Sequence, residues 1–123
     1  MRFFKRGETV DSEFIFIDNL TNQAINVLDP QYKIIHYNGP LEDIDVPVTP
    51  LNAVAGETGV YVVNWVIPGA ALTNETYFVL AQGTHPTQMT TTLLEDFFRV
   101  VADDYFGGGS GSGTGLVAKF TKP

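Results

Sequence analysis

Apolar residues in this chain recur at every second position or in short runs closed by Gly, Pro or Asn, and almost nowhere at the i, i+3, i+4, i+7 spacing of an amphipathic helix. Such a pattern suits pleated strands with one face buried, and it predicts an all-β protein. The candidate strands are Arg2–Arg6, Glu13–Asp18, Tyr32–Tyr37, Ile44–Val48, Val60–Ile67, Thr76–Gln82 and Phe97–Ala102, rich in Phe, Tyr, Val and Ile. About seven strands of this length predict an antiparallel β-sandwich.

The breaks between strands have a mechanism. Asp18-Asn19, Asp29-Pro30, Asn38-Gly39-Pro40, Gly56-Glu57-Thr58-Gly59, Pro68-Gly69 and Gly83 place residues that tolerate positive φ, or a Pro that cannot donate to a ladder. Pro47 and Pro50 predict that the fourth strand is short and lies at a sheet edge. One helical reading competes, over Met89–Ala102, where Leu93, Leu94, Phe97, Phe98 and Val101 would share a face. The β-branched run Thr90-Thr91-Thr92 weighs against it, and a short turn at Leu93-Leu94 before a strand is a compromise.

The 123 residues predict one domain, large enough for its own core, over residues 1–106. Residues 107–115 have the composition of a flexible Gly/Ser linker, and residues 116–123 follow as a C-terminal strand or arm. That last strand is expected either to pair with the strand before it or to reach a neighbouring subunit. With no Cys, disulfides, thiol nucleophiles and Cys-ligated metals are excluded, and stability must come from packing.

Charge is unevenly placed. Seven bases against fourteen acids give a net charge of −7, yet residues 7–118 hold only Lys33 and Arg99 against all fourteen acids, a net −12. An acidic body argues against binding nucleic acid through its phosphates. No apolar run is long enough to span a bilayer, and no signal-like segment follows the basic start, so the expectation is a soluble chain made in the cytoplasm. The basic termini, carrying Arg2, Lys5 and Arg6 at one end and Lys119 and Lys122 at the other, suit an arm laid on the next copy as well as they suit plain solvation.

Catalytic patterns are lacking. His36 lies in a strand and His85 in a loop, and Ser110 and Ser112 belong to the linker, which cannot hold a nucleophile in place. No Gly-Lys-Ser/Thr phosphate loop and no Gly-x-Gly-x-x-Gly spacing occur. Glu42-Asp43-Ile44-Asp45 and Asp103-Asp104 could offer oxygens to Ca²⁺ but match no calcium-loop spacing. Asn19-Leu20-Thr21 and Asn74-Glu75-Thr76 match the glycan acceptor pattern, which without a secretory segment is read as chance. Trp65 alternates with Val63 and Tyr61, the pattern of a core aromatic. The expectation is therefore no enzyme, no cofactor and no metal.

The segment Gly59-Val60-Tyr61-Val62-Val63-Asn64-Trp65-Val66-Ile67-Pro68, with Tyr77-Phe78-Val79-Leu80-Ala81-Gln82-Gly83, resembles the paired late strands of immunoglobulin-like domains that lack the disulfide. The opening Phe4-Lys5-Arg6-Gly7-Glu8-Thr9-Val10, then Phe14-Ile15-Phe16-Ile17-Asp18, is similar to the first strands of such domains in tailed-phage virion proteins. The resemblance covers residues 2–102 and implies an immunoglobulin-like sandwich in a capsid, neck or baseplate protein that works by docking. Its partners would be other virion proteins, including copies of itself, with no nucleic acid and no membrane. Arg2, Lys5, Arg6, Leu116, Val117, Lys119, Phe120 and Lys122 are the expected contact residues. The competing expectation is a carbohydrate-binding or host-adhesion module that grips a surface glycan through exposed aromatics such as Tyr37 or Tyr105.

Overall fold

The computed structural model describes residues 1–104 and the strand at 116–121. Nine strands form among them: β1 Arg2–Lys5, β2 Thr9–Ile17, β3 Leu28–Asn38, β4 Leu41–Pro50, β5 Asn52–Ala53, β6 Val60–Val66, β7 Glu75–Thr84, β8 Thr91–Val101 and β9 Leu116–Thr121. They build a five-stranded sheet ordered β1-β8-β7-β3-β4 and a four-stranded sheet ordered β5-β6-β2-β9. The all-β sandwich expected from the alternation is what forms. Pairing is antiparallel except at two edges, where β1 runs parallel to β8 and β9 parallel to β2.

Alternation places the core. Val10, Phe14 and Phe16 on β2 meet Tyr77, Val79 and Ala81 on β7 and Leu94, Phe98 and Val100 on β8, all buried, with Tyr61 and Val63 from β6. Aromatic rings occupy its centre: Phe98 stacks on Tyr77 at 5.6 Å and 9° and meets Phe4 edge-on at 5.5 Å. These pairs add to the area they bury, because ring quadrupoles favour such geometries. Trp65 is half-buried and packs against this cluster, 6.0 Å from Tyr77.

The chain changes sheets at its start. Gly7, at φ 86°, turns β1 of one sheet into β2 of the other, and its N–H donates to the Ile67 carbonyl at 2.8 Å. A side chain there would meet the left-handed penalty that Gly escapes.

Several boundaries differ from the sequence reading. Residues 89–102 form no helix and no turn at Leu93-Leu94; β8 runs unbroken from Thr91. The helical pattern arose because this strand carries apolar residues on both sides, with Leu94, Phe98 and Val100 inside and Leu93 and Phe97 outside. β4 does lie at a sheet edge, but it is ten residues long rather than short. An edge strand leaves one row of backbone groups unladdered, so the donors that Pro47 and Pro50 lack break nothing there. β2 starts at Thr9 rather than Glu13, its alternation hidden by Ser12 at a buried position. Residues 105–106 and the linker 107–115 fall outside the described residues.

Candidate functional site

The expected contact residues divide between the two ends of the chain, and the fold places both ends at sheet edges. β1 closes one side of the five-stranded sheet, with Arg2 in register with Phe98 and Lys5 with Val101. β9 closes one side of the four-stranded sheet, where Leu116, Val117, Lys119 and Phe120 stand in register with Ser12, Glu13, Ile15 and Phe16 of β2. β9 therefore pairs with a strand of the opposite sheet, not with β8, which precedes it. Lys122 lies outside the described residues.

Arg2 is engaged within the fold. Its guanidinium donates through Nη2 to the Asp11 carbonyl at 2.8 Å, pairs through Nη1 with Asp11 Oδ1 at 3.2 Å, and approaches Asp96 Oδ2 to 3.5 Å. It also stands 5.0 Å from the centre of the Phe4 ring. Ser12 and Asp96 are both buried, and the Ser12 hydroxyl donates to Asp96 Oδ2 at 2.6 Å, joining β2 of one sheet to β8 of the other. The Phe97 N–H donates to Asp96 Oδ1 at 2.8 Å, so both carboxylate oxygens are used. This network bolts the sheets together beside the rung where the β2–β9 ladder begins. The Ser12–Asp96 hydrogen bond tethers β2 to β8.

Arg6 donates to the Gly69 carbonyl at 3.1 Å and lies 3.6 Å from Asp103. Lys5 makes no ion pair among the described residues and is half-exposed. Sequence reasoning grouped these three by charge; the fold turns Arg2 inward and leaves Lys5 and Arg6 at the rim.

Both histidines hold structure. His36 is buried at the β3–β4 pair, 2.7 Å from Asp45 through Nδ1 and 3.4 Å from Asp43 through Nε2, its ring 5.2 Å from that of Tyr77. Glu42, Asp43 and Asp45, weighed from sequence as Ca²⁺ ligands, all sit in β4, which begins three residues before the expected strand Ile44–Val48. Among the described residues no group of three or more His, Cys, Asp or Glu side chains is arranged to hold a metal ion. His85 Nδ1 accepts the N–H groups of Thr87 at 3.1 Å and Gln88 at 3.0 Å, which closes the turn between β7 and β8. Its lone pair is thereby committed, although the Thr87 hydroxyl lies 3.2 Å away and Asp18 faces Nε2 at 3.3 Å. A hydrogen bond from the Leu20 N–H holds the Asp18 carboxyl below the ordinary value, against some desolvation and with help from the His85 ring.

Among the described residues, Tyr77 is the other group with a displaced titration. Burial pushes its phenol up from the ordinary value of 10.0, the Asp45 charge adds to this, and the hydrogen bond with Leu72 opposes it. A raised folded value favours the protonated form. The stability it carries is complete below the pH of a free phenol and is lost as the pH rises through the Tyr77 value. Ultraviolet difference titration is expected to show a tyrosine that ionises only as the protein unfolds in alkali, a component absent from Tyr77→Phe.

A groove of about 390 Å³ opens on the outer side of the five-stranded sheet, with Leu80, Leu93, Val48 and Lys33 on its walls. Tyr37, expected to be exposed, is exposed, and meets the Phe78 ring edge-on at 5.5 Å. Tyr105 lies outside the described residues. Sequence reasoning passed over this face, since apolar residues on the outer side of a strand look like core residues until the sheets are stacked. Comparison of the chain with protein-family models, curated proteins and solved structures finds no match. Fold and site together define a small Cys-free β-sandwich whose two terminal strands form outer edges.

Proposed function

We propose that this chain is a non-enzymatic structural protein of a tailed-phage virion, with an immunoglobulin-like sandwich that docks onto neighbouring subunits through its sheet edges and terminal strands. The observation that carries the reading is the position of β9. Six residues at the end of the chain complete the edge of the four-stranded sheet through one parallel ladder on β2. They follow the nine-residue Gly/Ser segment 107–115, which when extended reaches about 30 Å. A strand joined in this way can fill the β2 edge of its own chain or that of the next copy, since the ladder bonds are the same in both. Covering that edge also removes a template for uncontrolled strand addition.

Glu13 and Val117 are register partners across this ladder, and the chain has no other thiol to interfere. In Glu13→Cys/Val117→Cys, oxidation of concentrated protein is expected to give covalent dimers and higher species. Closed monomers alone would show that the strand stays on its own chain. The assignment to a particle is tested by quantitative mass spectrometry of purified virions, in which the chain is expected at many copies per particle. Its absence from them refutes the assignment.

A further inference from the structure

We propose that the outer face of the five-stranded sheet is a self-association surface that receives the same face of a second copy of this chain. This contact is separate from the edges and terminal strands. The register aligns Phe97, Phe78, Ile35 and Ile44 into one apolar row across β8, β7, β3 and β4. Ile44 is 60% and Phe97 40% exposed at the two ends of the row, Phe78 is half-buried and Ile35 buried between them, and Leu93, two same-face levels from the row on β8, is 65% exposed. The Phe78 and Phe97 rings lie 6.3 Å apart, so the row presents a ready aromatic surface. Large apolar side chains left exposed on one sheet face, here at the two ends of a row whose middle is filled by the buried Ile35, mark an interaction site.

Charge selects the occupant. On one side of the apolar row stand Glu95 on β8 and Lys33 on β3; on the other stand Arg99 on β8 and Glu42 on β4. Two acids and two bases make this face neutral on a body of net charge −12 between residues 7 and 118, so it is where two acidic copies can approach. A two-fold axis lying in the interface along the strands keeps each rung at its level and reverses the strand order. Under it β8 covers the β4 of the second copy and β7 covers its β3. Arg99 then faces Glu42, Phe97 faces Ile44, and Glu95 comes within reach of Lys33. Unlike charges meet at the corners and the apolar row stacks on itself, the aligned sheet packing seen within sandwiches.

The four strands and seven residue levels of this face span roughly 450 Å² per copy at ordinary strand spacings. That is the low end for a specific interface, so the dimer is expected to be weak, with a dissociation constant of about 100 µM, and to form where copies are held at high local concentration.

Sedimentation velocity of the full chain from about 10 µM to about 1 mM tests this. The wild type is expected to pass from monomer to dimer over that range, and Phe97→Glu to remain monomeric with an unchanged melting temperature. Arg99→Glu, which sets two carboxylates face to face, should weaken the dimer about tenfold. Adding Glu42→Gln to Arg99→Glu should restore most of the affinity, because the new carboxylate then meets the Lys33 ammonium that Glu42 holds in the wild type at 3.1 Å. A wild type that stays monomeric throughout, with or without glycan binding through this face, would overturn the proposal. So would a dimer that survives Phe97→Glu, or an Arg99→Glu defect that Glu42→Gln leaves uncorrected.

Discussion

Asp96→Ala is expected to lower the unfolding free energy by about 3 kcal/mol, with a fall in melting temperature of about 15 °C. The substitution takes the Asp96 acceptor from two donors and an anion from beside a third. Ser12, fully buried, loses the partner of its 2.6 Å hydrogen bond, and the Phe97 N–H loses the oxygen at 2.8 Å. Arg2, whose side chain is 17% exposed, keeps Asp11 but loses its 3.5 Å contact with Asp96. A buried hydroxyl without an acceptor carries its full desolvation penalty, and a largely buried cation that loses an anion carries more. Asp96→Asn retains an acceptor oxygen for Ser12 and should lose only about 1 kcal/mol. Denaturant unfolding of Asp96→Ala, Ser12→Ala and the double variant supplies the check. The double variant is expected to be more stable than the sum of the two single losses implies, because removing both ends of a buried hydrogen bond leaves neither orphaned. Equal and additive losses would show that the two side chains act independently.

Gly59→Ala is expected to lower stability by about 3 kcal/mol for a purely backbone reason. Gly59 adopts φ +76°, a region that strains any side chain, and a Cβ there would fall 2.7 Å from the Ile25 nitrogen and 3.0 Å from the Phe16 carbonyl oxygen. Those atoms belong to backbone and cannot swing aside. The same residue donates its N–H to Asn26 Oδ1 at 2.7 Å and accepts from the Phe16 N–H at 2.9 Å. A shift that relieves the clash therefore breaks the bonds that seat the segment between β2 and β3 against the start of β6. Thermal unfolding and amide exchange of Phe16 and Ile25 are the measurements. Gly56→Ala serves as the comparison: it also has positive φ, at 79°, but nothing lies within 4 Å of its Cβ position, so only the conformational penalty of about 1 kcal/mol applies.

Much of the fold was legible because strands announce themselves locally. Phe14 and Phe16, Tyr61 and Val63, and Tyr77 and Val79 alternate with more exposed neighbours, and each pair points to one interior. Ser12 and Asp96 were illegible for the opposite reason. Each is polar at a buried rung, and only the stacking of β2 on β8 brings them within hydrogen-bond distance. The terminal bases were picked out by charge, yet charge does not say whether a guanidinium faces solvent or a buried carboxylate; Arg2 meets the carboxylate, while Arg6 reaches the exposed Asp103. In β8, Leu93 and Leu94 read alike along the chain, although one is 65% exposed and the other 2%.

By itself the sequence determined that this chain makes strands, where most of them stop, and that no thiol chemistry holds them together, because period-two alternation, turn residues and the absence of Cys are properties of neighbours along the chain. Only the tertiary structure decided that β9 lies beside β2, that Ser12 meets Asp96, and which apolar side of the five-stranded sheet is left facing outward. Ladder hydrogen bonds are made by backbone groups common to every residue, so they carry no address. Which strands meet, and which face is covered, follows from packing between segments distant in sequence.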